Sequence, residues 1–205
     1  MNTLFTIGHS THSWEKFLEL LRQHRIEAVA DVRSSPYSQY NPHFNREPLQ
    51  LALRQQGISY VFLGDELGAR RSERECYVND RADYALIAHT PAFQSGLDRV
   101  IQGAARMRIA LMCSEKNPLD CHRCILVSPH LRERGLQVFH ILADGTIESH
   151  EQTEHHLLHL FELPERELFR TPDEIVAEAY KLQGDKIAYQ EDTLALREEP
   201  PRYGD

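Results

Sequence analysis

Ile26-Glu27-Ala28-Val29-Ala30-Asp31-Val32 is a near-continuous apolar run, followed at once by Arg33. Leu4-Phe5-Thr6-Ile7 is a second such run, and it leads into Gly8-His9-Ser10. A strand with one solvated face alternates polar and apolar residues, whereas runs without alternation suit parallel strands covered by helices on two faces. The segment between the two runs supplies a helix. Ser10, Thr11 and Ser13 are capping hydroxyls, and Trp14, Phe17, Leu18 and Leu21 repeat at i, i+3, i+4 and i+7.

The same alternation continues along the chain. Asn45 caps a helix that carries Pro48 in its first turn and Leu49, Ala52 and Leu53 inward, and Gly57 closes it; residues 58–63 are the third strand. Thr90-Pro91 opens a helix with Phe93, Leu97, Val100, Ile101 and Ala104 as its apolar stripe, and residues 108–112 are the fourth strand. A helix over residues 121–134 starts at an Asp120 N-cap, is kinked or restarted by Pro129, and ends at Gly135. Residues 136–142 are the fifth strand, and the Asp144-Gly145 turn leads to a short extra strand at 146–148. Residues 152–161 and a capping box, Thr171-Pro172-Asp173-Glu174, mark two further helices. After Gly184 the periodicity fades into an extended tail.

These elements predict an α/β fold: a mainly parallel sheet of five strands or slightly more, helices on both faces, and a helical C-terminal extension. Residues 1–150 form the α/β core domain. Residues 151–205 are the extension and tail, packed on the core and not an independent domain. Two loops stand out. Residues 34–46 are rich in Pro, Ser and Asn yet aromatic, the mark of a functional loop; residues 64–81 begin as a glycine-bracketed turn and become a charge-dense, mobile excursion over 70–80.

The chain has 205 residues, enough for one domain of ordinary size, and its 41% hydrophobic content is sufficient for a core. With 23 Lys and Arg against 31 Asp and Glu, its net charge of -8 argues against non-specific nucleic-acid binding. A small anionic ligand in a cleft remains compatible with that charge. No stretch approaches the length of a membrane span, and the N-terminus lacks the basic region and cleavage site of an export signal, so the expected location is cytoplasmic and no membrane partner is expected. Three of four cysteines, Cys113, Cys121 and Cys124, crowd into twelve positions, a spacing that suits catalysis, redox chemistry or metal binding better than a disulfide framework.

In an open α/β sheet, ligands bind beyond the carboxyl ends of the strands. Here those ends carry Gly8-His9-Ser10, Asp31-Val32-Arg33, Gly64-Asp65-Glu66 and Cys113-Ser114-Glu115. The densest segment runs from Cys113 to Cys124. Its helix start would place Cys121, His122 and Arg123 among free N–H groups and a positive dipole, which lowers a thiol pKa and favours an anion.

The chain resembles the bacterial family catalogued as domain of unknown function 488. The resemblance spans roughly residues 3–145 and rests on Ile7-Gly8-His9-Ser10, Asp31-Val32-Arg33, Leu63-Gly64-Asp65-Glu66-Leu67-Gly68, Leu111-Met112-Cys113-Ser114-Glu115, Cys121-His122-Arg123 and His140-Ile141. It implies an α/β domain with a shared pocket of Cys113, Glu115, Cys121, His122 and Arg123 facing His9, Asp31 and Arg33, and it names no substrate. Ala69 stands where the family more often has a second glycine, and Cys124 lies outside the family pattern.

The leading expectation is a hydrolase or group transferase acting on a small anionic or nucleotide-like substrate. Cys121 or Cys113 is the candidate nucleophile and Glu115 or His122 the general acid or base; His9 and Asp31 also stand in the catalytic set. Arg123, Arg33 and Ser10 are the candidate anion contacts. Each has a structural alternative: buried packing for the thiols, helix entry for His9 and Ser10, and an internal ion-pair network for Asp31, Arg33 and Arg123. Tyr37, Tyr40 and Phe44 are candidates for stacking on a planar ligand. One rival function is a non-catalytic metal or thiol redox module, with Cys113, Cys121 and Cys124 as ligands. A second is a nucleic-acid-processing accessory using Arg70, Arg71, Arg74 and Arg81. His150, His155, His156 and His159 read as a solvated helix face. No Walker A, G-x-G-x-x-G or Cys-x5-Arg loop is present, so cofactor use stays open.

Overall fold

The structure, a computed structural model, describes residues 2–191. β1 (Thr3–Gly8) leads to α1 (Trp14–Gln23), β2 (Ala28–Asp31), α2 (Arg46–Gln55) and β3 (Ser59–Phe62). A single turn, α3 (Gly64–Leu67), precedes a small hairpin of β4 (Tyr77–Val78) and β5 (Arg81–Ala82), then α4 (Tyr84–Ala88) and α5 (Pro91–Ala104). β6 (Ile109–Cys113) is followed by a 3-10 turn at Pro118–Asp120 and a π-helical turn at Arg123–Val127 that runs into α6 (Ser128–Glu133). β7 (Gln137–Ile141), β8 (Ile147–Ser149), α7 (His150–Leu160) and α8 (Pro172–Ile187) complete the described chain.

The main sheet has six strands among the described residues, in the order β3-β2-β6-β1-β7-β8. Its first five are parallel, and β8 pairs antiparallel with β7. Alternate strand residues feed different apolar clusters, as the two-residue period requires. Phe5, Ile7, Val29, Ala110 and Met112 pack with Phe17, Leu20 and Leu21 of α1 and Leu49 and Leu53 of α2. Leu4, Ala28, Ala30, Ile109 and Leu111 pack with Phe93, Leu97 and Val100 of α5 and Leu131 of α6. A third cluster joins Cys124 and Ile125 to Leu157 and Leu158 of α7 and Ile175 and Ala179 of α8.

Several local expectations are corrected. Ser13, not Ser10, caps α1, accepting from the Lys16 N–H, while Ser10 has a positive φ of 48°. Asn45 sits at the N-cap position of α2, but its Oδ1 accepts from Ser38 N–H instead of from the helix. The segment after residue 70 is folded: Cys76 is fully buried, and Arg71 is buried on the carbonyl oxygens of Asp65 and Glu66. α8 continues three residues beyond Gly184.

The largest correction concerns residues 120–128. Asp120 closes the 3-10 turn, and Cys121 is extended (φ -136°, ψ 137°), so Cys121 occupies the cap position that the sequence assigned to Asp120. Its sulfur accepts from the Arg123 N–H at 3.4 Å. The following turn is π-helical because Pro129 has no N–H to donate and its ring crowds an α-helical carbonyl one turn back. The Ser128 N–H and hydroxyl both go to the Arg123 carbonyl oxygen, the hydroxyl at 2.7 Å.

Candidate functional site

β6 lies between β2 and β1, so the ends of three strands meet at one place. Gly8 stands opposite Cys113, and the pairing continues past the strand ends, with His9 N–H donating to the Cys113 carbonyl and Ser10 N–H to that of Ser114, both at 2.9 Å. On the other side, Val32 N–H donates to the Met112 carbonyl at 3.0 Å. The polar residues that follow each strand are thereby held by main-chain bonds.

Cys113, Cys121 and His122 converge here, their ligand-type atoms all within 4.8 Å of one another. The His122 Nδ1 lies 3.7 Å from the Cys113 sulfur and 3.9 Å from that of Cys121, and its Nε2–H donates to the Val32 carbonyl at 2.9 Å. Burial would raise both thiols. For Cys113 it does, reinforced by the neighbouring Cys121 sulfur, and the group is held well above the usual thiol range. For Cys121 the hydrogen bond from Cys113 and the charges of Arg123 and His122 outweigh burial and pull the thiol well below it. Burial likewise disfavours an imidazolium at His122, but contact with Cys121 outweighs it and the pKa is raised. The arrangement is a buried thiolate and imidazolium with a second thiol donating to the sulfur.

Arg123 is fully buried (0% exposed) and has no ion pair among the described residues. Its Nη1 donates to the Glu115 carbonyl at 2.8 Å, and its Nε has no partner. A buried guanidinium needs an opposing charge, and the Cys121 sulfur is the group that faces it. The loop that supplies the Glu115 carbonyl passes so close to β1 that a methyl group on Gly8 would collide with that oxygen. Glu115 itself keeps one buried carboxylate oxygen, Oε2, without a hydrogen-bond partner, and burial raises its pKa.

Asp31, Arg33 and His9 form a separate network. Asp31 binds Arg33 through two side-chain hydrogen bonds and accepts a third from the Tyr60 hydroxyl at 2.7 Å. The remaining Arg33 contacts are the Phe44 carbonyl at 2.8 Å and the His9 Nε2 at 3.1 Å. The His9 Nδ1–H donates to the Ser10 carbonyl, so Nε2 is the acceptor for Arg33, and burial followed by the Arg33 charge lowers the His9 pKa to about 4. His9 is neutral, stacked on the fully buried Phe44 at 4.4 Å.

A cavity of about 410 Å³ opens at this edge. Cys113, Glu115, His122 and Arg33 line it; Cys121, Arg123, His9, Asp31 and Ser10 stand behind or beside its wall. Its other walls were not singled out from the sequence: Ser34 and Ser35 of the first loop, Arg70, Tyr84 and Tyr189. Arg70 and Tyr189 are brought together by a cation–π contact of 4.5 Å, and that pairing of distant residues leaves no local sequence signal. Of the loop aromatics, Tyr37 lines the cavity, whereas Tyr40 points to solvent and Phe44 belongs to the core.

The three-cysteine metal set is not assembled. Cys124 is turned toward His140, 3.9 Å away, and packs in the cluster with α7 and α8. His150, expected on a solvated face, is buried (1% exposed) beside His140. Arg71, Arg74 and Arg81 are each paired with a carboxylate, which leaves little free charge for a nucleic acid. No described helix is long and apolar enough to cross a membrane.

Curated proteins and solved structures offer no match to the chain. A family model described as "Domain of unknown function DUF488" matches residues 13–128, which take in the β2 end, the first loop and the whole segment from Cys113 through the π-helical turn. That match covers more than half of the chain, and the protein therefore belongs to the DUF488 family.

Proposed function

We propose that this protein is an enzyme, a hydrolase or group transferase that uses thiol and acid–base chemistry on a small anionic substrate in the cavity beside Cys113. The observation that carries the reading is the meeting of a thiol, an imidazole and a carboxyl group with one buried, unpartnered oxygen on the wall of one cavity. The two apolar clusters support a sheet clad by helices on both faces, which leaves the strand ends as the place for polar chemistry. Residues 1–150 carry that chemistry, and the later helices are an extension packed on them.

In the first step the Cys113 sulfur bonds to an electrophilic carbonyl or phosphoryl centre while its proton passes to the Cys121 thiolate. The bond to the leaving group breaks, and the leaving group takes the proton held by Glu115. Water then adds to the thioester or thiophosphate and gives its proton to Glu115. The Cys113 sulfur departs and recovers its proton from Cys121. His122 and Arg123 stabilise the thiolate form of Cys121. Exposed Arg70 and Arg33 on the cavity wall attract the anionic group, and Tyr37, Tyr84 and Tyr189 supply aromatic surface and hydroxyl groups for a nucleotide-like body.

Alkylation tests this without a known substrate. Anionic iodoacetate should label Cys113 faster than neutral iodoacetamide does, relative to free cysteine, and Arg70→Ala should abolish the preference. Turnover of p-nitrophenyl acetate or p-nitrophenyl phosphate should be lost in Cys113→Ser and kept in Cys76→Ser. Labelling that spares Cys113, or turnover unchanged in Cys113→Ser, would sink the thiol mechanism.

A second reading is favoured by one observation. The two S···N distances at His122, 3.7 and 3.9 Å, are near the roughly 3.6 Å expected between sulfur and nitrogen ligands of tetrahedral zinc, and the outer His122 nitrogen is bound to a carbonyl, as metal-bound imidazoles are. Glu115 would then act as acid or base beside the ion. Zinc that co-purifies and is lost in Cys121→Ser would select this reading over the first.

A further inference from the structure

We propose a second, separate site: Cys124, His140 and His150 bind a thiophilic d10 metal ion, zinc(II) or copper(I), that ties the π-helical turn and β7 to the start of α7. The three ligand atoms, each from a different element, lie within 4.8 Å of one another, and all three residues are buried.

The imidazoles are set as ligands by their outer nitrogens. The His140 Nδ1 is 2.7 Å from the Thr6 hydroxyl, and the His150 Nε2 is 2.7 Å from that of Tyr180. Tyr180 in turn donates to Glu154 at 2.9 Å, and Glu154 is paired with Arg132. An oxygen partner on the outer ring nitrogen is the usual support of a metal-bound histidine, because it fixes ring orientation and raises ligand basicity. The inner nitrogens, His140 Nε2 and His150 Nδ1, then face each other at 2.9 Å, with the Cys124 sulfur 3.9 Å from the former. For zinc bonds of about 2.0 Å to nitrogen and 2.3 Å to sulfur, the tetrahedral separations are about 3.3 Å for N···N and 3.6 Å for S···N. Each observed distance is within a few tenths of an ångström of that, so the rings open slightly and the thiol closes in.

Two histidines and one cysteine form a trigonal donor set suited to soft or borderline ions and unsuited to magnesium or calcium, which take oxygen ligands. The protons balance simply. Without metal, one proton bridges the inner nitrogens and another sits on the Cys124 sulfur, where burial keeps the thiol protonated. On binding, His140 shifts its proton from Nε2 to Nδ1, where Thr6 accepts it. Cys124 loses its proton to solvent, so one proton is released per ion, with no change of redox state.

The test uses a Cys113→Ser/Cys121→Ser background, which removes the thiols of the cavity site. Cobalt(II), standing in for zinc, should give a thiolate-to-metal charge-transfer band at one equivalent, zinc should displace it, and a further Cys124→Ser should abolish it. Copper(I), delivered in competition with a colorimetric chelator, should bind in the same stoichiometry; preferential retention of one ion identifies which the site takes. Because the multiple variants may unfold, ring-nitrogen NMR of the wild-type chain provides an independent reading: one equivalent of zinc should shift the His140 and His150 nitrogens and leave His9 unmoved. A band that survives Cys124→Ser, no binding of either ion in the double-serine background when it is folded, or histidine nitrogens unmoved by zinc in the wild type would overturn the proposal. Loss of zinc only from Cys121→Ser would support the cavity reading and refute this one.

Discussion

Asp31 grips Arg33 from two positions away along the chain, its Oδ1 accepting from Nε at 2.9 Å and its Oδ2 from Nη2 at 2.7 Å. Both are buried, and the pair fixes the floor on which His9, Tyr60 and the Phe44 carbonyl rest. Removing one member of a buried ion pair strands the other charge. Asp31→Asn should therefore lower stability by about 3–5 kcal/mol in urea denaturation, while Tyr60→Phe, which removes a single hydrogen bond to the same carboxylate, should cost about 1–2 kcal/mol. Equal effects from the two changes would show that the bidentate pair is not the anchor.

At Gly8 the requirement is space. A Cβ there meets the Glu115 carbonyl oxygen, a main-chain atom that cannot step aside without moving the loop that holds Arg123. Gly8→Ala should destabilise by at least about 1–3 kcal/mol and increase the accessibility of Cys113 and Cys121 to a thiol reagent. A thermal melt coincident with wild type would contradict the close approach.

The charge of Arg123 should be legible in the thiol it faces. Arg123→Met keeps much of the volume and removes the cation, so the Cys121 thiol should titrate higher, seen as an alkaline displacement of the thiolate absorbance or of the alkylation rate. The same change leaves the Glu115 carbonyl without its donor, at a cost of about 1–3 kcal/mol. An unaltered titration would mean that the Cys113 hydrogen bond alone holds Cys121 low.

His9 gives a pH dependence whose sign is fixed by its depressed pKa. Between the ordinary value of 6.5 and the folded value of about 4, the unfolded chain binds a proton that the folded chain refuses, so stability falls as the pH drops through this window. At about 1.4 kcal/mol per pKa unit, the full effect is on the order of 3 kcal/mol. Denaturant midpoints from pH 7 to 4 should show the decline in wild type and a flatter line in His9→Gln, although that variant starts lower because Arg33 loses an acceptor.

The parallel strands and most helices were legible because local rules govern them: apolar runs at residues 4–7 and 26–32, the Thr90-Pro91 start, and the Thr171 capping box, which the structure forms in full. The pairing order was not, since nothing local tells β6 to enter between β1 and β2. The polar residues after the strands were correctly singled out as neighbours, but not their division of labour. Asp31 and Arg33 satisfy each other, whereas Cys113 and Glu115 reach the cavity, and only long-range partners such as Tyr60 and Tyr189 decide which is which. Asp120 failed as a cap because the preceding Asn117-Pro118 starts its own turn, with the Asn117 side chain accepting from Leu119 N–H, and so delays the helix until after Cys121.

The wide turn at Arg123–Val127 acts as a phase corrector. His122 must face the cavity, Cys124 must face His140, and Leu131, fully buried, must face the sheet one and a half turns later. A regular α-helix advances about 100° per residue, and the extra residue of the π turn absorbs the offset between these three directions. Deleting one residue within 125–127 would let the helix close regularly yet swing Leu131 off the sheet. This stretch should therefore tolerate substitutions of similar volume far better than any change in its length, a constraint usually associated with catalytic loops rather than with the inside of a helix.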